Sequence, residues 1–205
     1  VSTNSIFIMF DWIKNINKEY TEFWKEYLIK IKDKSERYVI LNTETTGLNP
    51  KNDVILSFGA IGVISDVIKV NDTLDLVILQ YKYLHDNGLS NEFLIESKQP
   101  KFAEHNAIEE LLKYIGNATL VGHRIHFDIE MINEVLEKME CGKLKNEALD
   151  IEIMHQKLYD ITNKSFSLDE LIKAYKIPQS ERNSSLDDAY SIALLFLKLK
   201  SKLGF

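Results

Sequence analysis

Three short stretches of this chain bring acidic side chains to places where the backbone turns. The first is residues 38–48, Tyr-Val-Ile-Leu-Asn-Thr-Glu-Thr-Thr-Gly-Leu. An apolar run leads into Asn42 and Glu44, then into a Thr45-Thr46-Gly47 turn. Residues two apart on a strand face the same way, so Asn42 and Glu44 project together at the strand's end. The second stretch, residues 120–128, reads Leu-Val-Gly-His-Arg-Ile-His-Phe-Asp and puts Asp128 at the start of a helix. The third, residues 181–190, reads Glu-Arg-Asn-Ser-Ser-Leu-Asp-Asp-Ala-Tyr and carries Asn183, Asp187 and Asp188. Several carboxylates around a pair of divalent cations are the equipment of phosphodiester hydrolysis, in which two metals about 3.5–4 Å apart stabilise the attacking and leaving oxygens. Each stretch also has a plainer reading. Residues 42–47 make a turn after any strand, Asp128 makes a helix N-cap, and Asp187 faces solvent or caps its helix. The spacing of His123 and His126 fits no zinc motif, which favours a structural role for both.

The surrounding pattern is that of an α/β protein. Residues 11–32 carry Ile13, Ile16, Tyr20, Trp24, Tyr27, Leu28 and Ile31 at three- and four-residue steps, an amphipathic helix with an aromatic stripe. Residues 37–41, 53–64 and 73–81 are strand-like runs rich in Val, Ile, Leu and Phe. Gly59 and Gly62 within the second run point to a bulge or a close backbone approach. Residues 87–100 read as a surface connection, 103–115 as a helix stopped by Gly116-Asn117, and 119–121 as a short strand leading into a helix over 127–139. Residues 148–159 predict a strand edge and a helix. Ser167 and Glu170 have capping-box spacing, and 186–203 predict a long apolar final helix. Three strands followed by alternating helices and strands imply a sheet covered by helices.

Composition narrows the class. With 205 residues, 45% hydrophobic and 27% charged, the chain suits one soluble globular domain. Its net charge of −6 argues against nucleic-acid binding by bulk electrostatics, though not against holding a nucleic-acid end through metal ions. The single cysteine, Cys141, forms no intramolecular disulfide, which fits a cytoplasmic location. The short apolar run at residues 5–10 is too brief for a signal peptide, and no stretch approaches membrane-span length. Met9 reads as a natural start.

The three stretches, in this order, resemble the motifs of the DEDD-type, or DnaQ-like, 3′–5′ exonucleases. Asn-x-Glu-Thr-Thr-Gly resembles Asp-x-Glu-Thr-Thr-Gly. Gly-His-Arg-Ile-His-Phe-Asp resembles Gly-His-Asn-x-x-Phe-Asp, with Arg124 in the place of Asn. Asn183 with Asp188-Ala189 resembles a His five residues before an Asp-Ala. The resemblance covers about residues 37–203 and is nearest to bacterial DNA polymerase III epsilon-like proofreading subunits. It implies a ribonuclease-H-like fold, a mixed five-stranded sheet flanked by helices, with residues 1–36 as an N-terminal extension and 37–205 as the exonuclease-like domain. It implies Mg²⁺ or Mn²⁺ held by Asn42, Glu44, Asp128 and Asp188. Glu44 and Asp188 are the principal ligands, Asp128 serves the second metal, Asn42 takes the bridging position and Asn183 the general-base position. Thr45, Thr46, Gly47, Leu48, His123 and Phe127 are implied to lie near the 3′-terminal nucleotide. The implied partners are single-stranded or frayed 3′ ends of DNA or RNA and a DNA polymerase subunit, with no membrane.

Two of the five catalytic positions depart from the pattern, and both become Asn. Carboxylate charge at the metals falls from −4 to −3 against +4 from two Mg²⁺. A neutral amide offers one ligating oxygen. Asn cannot accept a proton as His does, and losing a general base costs roughly 10²–10⁴-fold in rate. The chain is therefore expected to be impaired or inactive, whether as an engineered inactive variant or by natural loss, with activity on altered metals ranked below both. The alternative is a non-catalytic module that binds a 3′ end or a protein partner.

Overall fold

A computed structural model describes residues 20–80, 100–178 and 184–205. Its elements are α1 (Glu22–Lys30), β1 (Tyr38–Thr45), β2 (Ile55–Ile64), β3 (Val67–Leu79), β4 (Lys101–Ala103), α2 (Glu104–Ile115), β5 (Thr119–Gly122), α3 (Ile125–Lys138), β6 (Ala148–Asp150), α4 (Ile151–Leu158), α5 (Leu168–Ala174) and α6 (Ser185–Leu203). The strands form one sheet in the order β4-β3-β2-β1-β5-β6. β1–β2 and β2–β3 pair antiparallel, whereas β5, β6 and β4 join in parallel. The sheet thus has six strands rather than the expected five. The addition is β4, whose three residues are too few to show a strand's period in the sequence.

Alternation along β1 divides the core. Ile40 belongs to a cluster with Ile192, Phe196 and Leu199 of α6, while Val39 and Leu41 belong to the opposite cluster with α2 and α3. Central burial explains why the start of β1 is apolar on both faces. Helix α6 runs antiparallel to β1. Its Ser185 hydroxyl bonds that of Ser57, beside Glu44 in the ladder, and its Phe196 ring lies 4.9 Å from Tyr38 at the other end of β1. Gly59 makes this packing possible, because a Cβ there would run into the backbone of Ser185 and Leu186. The ladder shifts register between Ile61 and Gly62.

Helix α1 is the described part of the predicted 11–32 helix; residues 11–19 lie outside the described residues. Trp24 and Tyr27 are buried in the α2–α3 core cluster, where each contributes roughly 1.5–3 kcal/mol. The Tyr27 hydroxyl donates to Asn146 Oδ1 at 2.8 Å and accepts from the Lys145 N–H. Asn117 Nδ2 donates to the Asp33 carbonyl just after the helix. This packing lies at the end of the sheet where β1 and β5 begin. The predicted connection at 87–100 lies almost wholly outside the described residues.

Candidate active site

The site is assembled where β1 outruns its neighbour. β5 accompanies β1 only from Tyr38 to Ile40, so the edge of β1 from Leu41 onward is open on that side. The chain leaves β5 through Gly122, where a Cβ would press on the Leu41 carbonyl and on Ile125. It turns through His123 and Arg124 and enters α3, whose first turn carries Asp128. Asp128 closes the open edge. Its carboxylate accepts from the Thr43 hydroxyl at 2.5 Å and from the Thr43 backbone. It is a first-turn residue, and Arg124 occupies the N-cap position without a side-chain cap bond.

On the other side of β1, Asn42 and Glu44 follow Ile40 toward α6. They pair across the ladder with Gly59 and Ser57, the two residues on which α6 begins. Ser184 caps α6 by accepting from the Asp187 N–H, and its hydroxyl donates to Asp187 Oδ2 at 3.1 Å. Ser185, Asp188, Ala189 and Ile192 follow helical spacing on the sheet-facing side, with Ser185, Ala189 and Ile192 buried. Asp188 therefore lies one turn into α6, on the side that carries Asn42 and Glu44. The positive end of the helix dipole is directed at the same end of β1.

The Thr-Thr-Gly-Leu loop is held by Asp53. Thr46 Oγ1 donates to Asp53 Oδ1 at 3.0 Å, the Asn49 N–H donates to Asp53 Oδ2 at 2.8 Å, and a Cβ on Gly47 would strike that carboxylate. Thr45 Oγ1 donates to the Gly47 carbonyl at 2.8 Å. Leu48 stands out from this loop, 84% exposed. Phe127 is partly buried against the core. His123 is bonded through Nε2 to the Phe166 carbonyl at 2.8 Å, and His126 is exposed. Asn183 lies outside the described residues.

Among the described residues no three His, Cys, Asp or Glu side chains are grouped to hold a metal ion. The structure therefore gathers Asn42, Glu44, Asp128 and Asp188 around one end of β1 without forming a ready three-carboxylate cage. Asp128 nevertheless sits in surroundings that oppose its charged form. It is 5% exposed, and burial pushes its pKa up to about 7 against the opposing Thr43 hydrogen bonds, with Asp150 adding like-charge repulsion. Asp150 itself caps α4 by accepting from the Glu152 N–H. Asp53, Asp150 and the Arg124–Glu152 pair are parts of the surroundings that motif reading passed over. Arg124 stood out in the sequence as a departure from the motif, whereas Asp53, Asp150 and Glu152 were marked only by their acidic character.

A mixed sheet in which β3-β2-β1 pair antiparallel and β5 and β6 follow in parallel, with helices on both faces and acidic groups at the end of β1, defines a ribonuclease-H-like α/β protein. Solved structures of exonuclease I share this fold. One superposes with a TM-score of 0.67 at 15% identity, and E. coli exonuclease I in complex with a dA16 oligonucleotide gives 0.68 at 15%. Both cover 82% of this chain, which spans only 41% of theirs. A family model described as exonuclease, of the RNase T type, matches residues 39–196. DNA polymerase III subunit epsilon of Rickettsia typhi is 31% identical over 179 residues, 80% of this chain and 74% of that protein. The same subunit of Buchnera aphidicola subsp. Baizongia pistaciae is 30% identical over 183 residues, 82% and 72%. The chain belongs to the DnaQ-like 3′–5′ exonuclease family.

Proposed function

We propose that this protein takes single-stranded or frayed 3′ ends into the open end of β1, and that its capacity to cleave them is strongly reduced. Residues 37–205 are the exonuclease-like domain in this reading and 1–36 an extension. The observation that carries it is the convergence of Asn42, Glu44 and Asp188 on one side of β1 with Asp128 closing its edge. The donor set is made of hard oxygens, which suits Mg²⁺ or Mn²⁺. The raised pKa of Asp128 fits a position that a cation would relieve. Asn42, Glu44, Asp128 and Asp188 would hold it. A divalent cation bound there supplies positive charge to the scissile phosphate and its attacking and leaving oxygens.

The chain's own residues account for the rest. Glu44 and Asp188 present charged oxygens, whereas Asn42 presents a neutral one. Thr45, Thr46, Gly47 and Leu48 form a loop fixed by Asp53 from which Leu48 extends to contact the terminal nucleotide, and His123 and Phe127 are the further contact residues of this reading. Asn183 cannot take the proton of an attacking water. A polymerase partner is suggested by the relatives. The non-catalytic reading is favoured by one specific observation, the lack of a grouped three-carboxylate set among the described residues. A Mg²⁺- or Mn²⁺-dependent assay on 5′-labelled single strands tests the proposal. It predicts retained end binding with little mononucleotide release, and robust processive degradation by the chain as it stands would contradict it.

A further inference from the structure

One cation at the site's edge has no part in the scheme above. Arg124 stands in the turn between β5 and α3, four residues before Asp128, where the family motif has Asn. Its backbone is left-handed, with φ 57°, a conformation that a non-glycine residue keeps when its surroundings hold it. Glu152 supplies the hold. This carboxylate, 7% exposed, accepts from Arg124 Nε at 3.1 Å through one oxygen, and from Ser165 Oγ and the Phe166 N–H through the other. Arg124 Nη2 donates to the same Ser165 hydroxyl at 2.7 Å. The guanidinium is thus fixed along one side. The side chain is still 56% exposed, and among the described residues its Nη1 takes no hydrogen-bond partner.

We propose that Arg124 is a phosphate-binding residue for the strand whose 3′ end enters the site, with Glu152 and Ser165 as its positioning groups; this rests on the 3′-end reading above. A planar guanidinium with one side anchored and the other open is pre-ordered for a phosphodiester, so little freedom remains to be lost on binding. Its place suits the task, since ligands of such sheets lie beyond the carboxyl ends of the parallel strands. β5 ends two residues before Arg124. In a chain of net charge −6, a fixed cation where the strand must approach also offsets local repulsion.

The test uses 5′-fluorescein-labelled octamers of deoxythymidine and of uridine with a phosphorothioate 3′-terminal linkage that resists cleavage, with binding followed by anisotropy in Mg²⁺ or Mn²⁺. The unsubstituted chain should bind at least one of them. Arg124→Ala should weaken that binding roughly tenfold and reduce the salt-dependence slope by about 0.7, the loss of one phosphate contact on a single strand. Arg124→Lys should retain the slope and lose part of the affinity, because a lysine keeps the charge without the anchored fork. Glu152→Gln should likewise retain the slope and weaken binding. Circular dichroism and melting temperature, read on each variant, separate these effects from loss of fold. A folded Arg124→Ala protein with unchanged affinity and unchanged slope would overturn the inference. If the unsubstituted chain binds neither octamer, the 3′-end reading fails and this inference falls with it.

Discussion

Asp128 and Glu152 are exposed to nearly the same small degree, 5% and 7%, yet their acidities move in opposite directions. The Asp128 pKa rises to about 7, whereas that of Glu152 falls below its ordinary value. Burial opposes ionisation in both. Asp128 lies deeper in the protein, so burial opposes it more strongly, and the rest of the difference lies in what each carboxylate accepts. Glu152 takes the Phe166 N–H, the Ser165 hydroxyl and the Arg124 guanidinium, and these together outweigh desolvation. Asp128 accepts from the Thr43 hydroxyl and backbone and from its own N–H, and faces another acid, Asp150. One carboxylate is complete within the chain and works as a structural anchor. The other, Asp128, is opposed by burial and by a neighbouring acid, and its hydrogen bonds do not offset them.

The largest stability effect is expected at the completed carboxylate. Glu152→Ala leaves the Phe166 N–H, the Ser165 hydroxyl and the Arg124 guanidinium without their acceptor. The cost should be roughly 2–4 kcal/mol, held to the lower part of the buried-pair range because Arg124 is more than half exposed. Urea denaturation at pH 7 measures it. A loss below about 1 kcal/mol would mean that Glu152 behaves like an ordinary surface acid and that the contrast with Asp128 is false.

Asp128→Asn should do the opposite at neutral to alkaline pH. Folding raises this carboxyl's pKa, so its contribution to stability is present in full below its unfolded value of about 3.9 and is lost as pH rises through about 7. In EDTA the Asn variant should therefore be more stable than the parent at pH 8, by on the order of 2 kcal/mol, with the advantage vanishing near pH 4. A pH-independent difference would show that Asp128 is ionised at little cost. Mn²⁺ should shrink the gap from the parent's side, since a ligand that binds only the folded state stabilises it.

Thr43→Val should show the smallest effect. Losing the hydroxyl that supports Asp128 costs about 1 kcal/mol where the acid is charged and raises its pKa further. Most of that cost should disappear in the Asp128→Asn background, a coupling that a double-mutant cycle at pH 8 reads directly. Full additivity would place Thr43 outside the Asp128 interaction.

Much of this site was legible in the sequence because its parts obey local periods. The two-residue period of a strand put Asn42 beside Glu44, and the motif match singled out Asp188. Gly59 and Gly62 announced a close approach and a register shift, although nothing in the sequence said that the backbone of α6 was what approached. The Arg124–Glu152 anchor joins residues 28 apart whose contact depends on how α3 and α4 leave the ends of β5 and β6, and no periodicity reports that. Asp53 is similar, an acid in a turn whose value lies in two loop hydrogen bonds. The sixth strand escaped because three residues carry no pattern. Asn183 lies outside the described residues, so its position rests on its motif alone.

The central claim is that an exonuclease site survives here, weakened at two positions. It is tested most directly by comparing the chain as it stands with the double variant Asn42→Asp, Asn183→His in one assay of 3′-mononucleotide release from a 5′-labelled single strand in Mg²⁺. The double variant should cleave stepwise from the 3′ end at least roughly 10²–10⁴-fold faster, the range for regaining a general base alone. A double variant that binds Mn²⁺ and the oligonucleotide but releases no mononucleotides would contradict the claim and leave a binding module in its place.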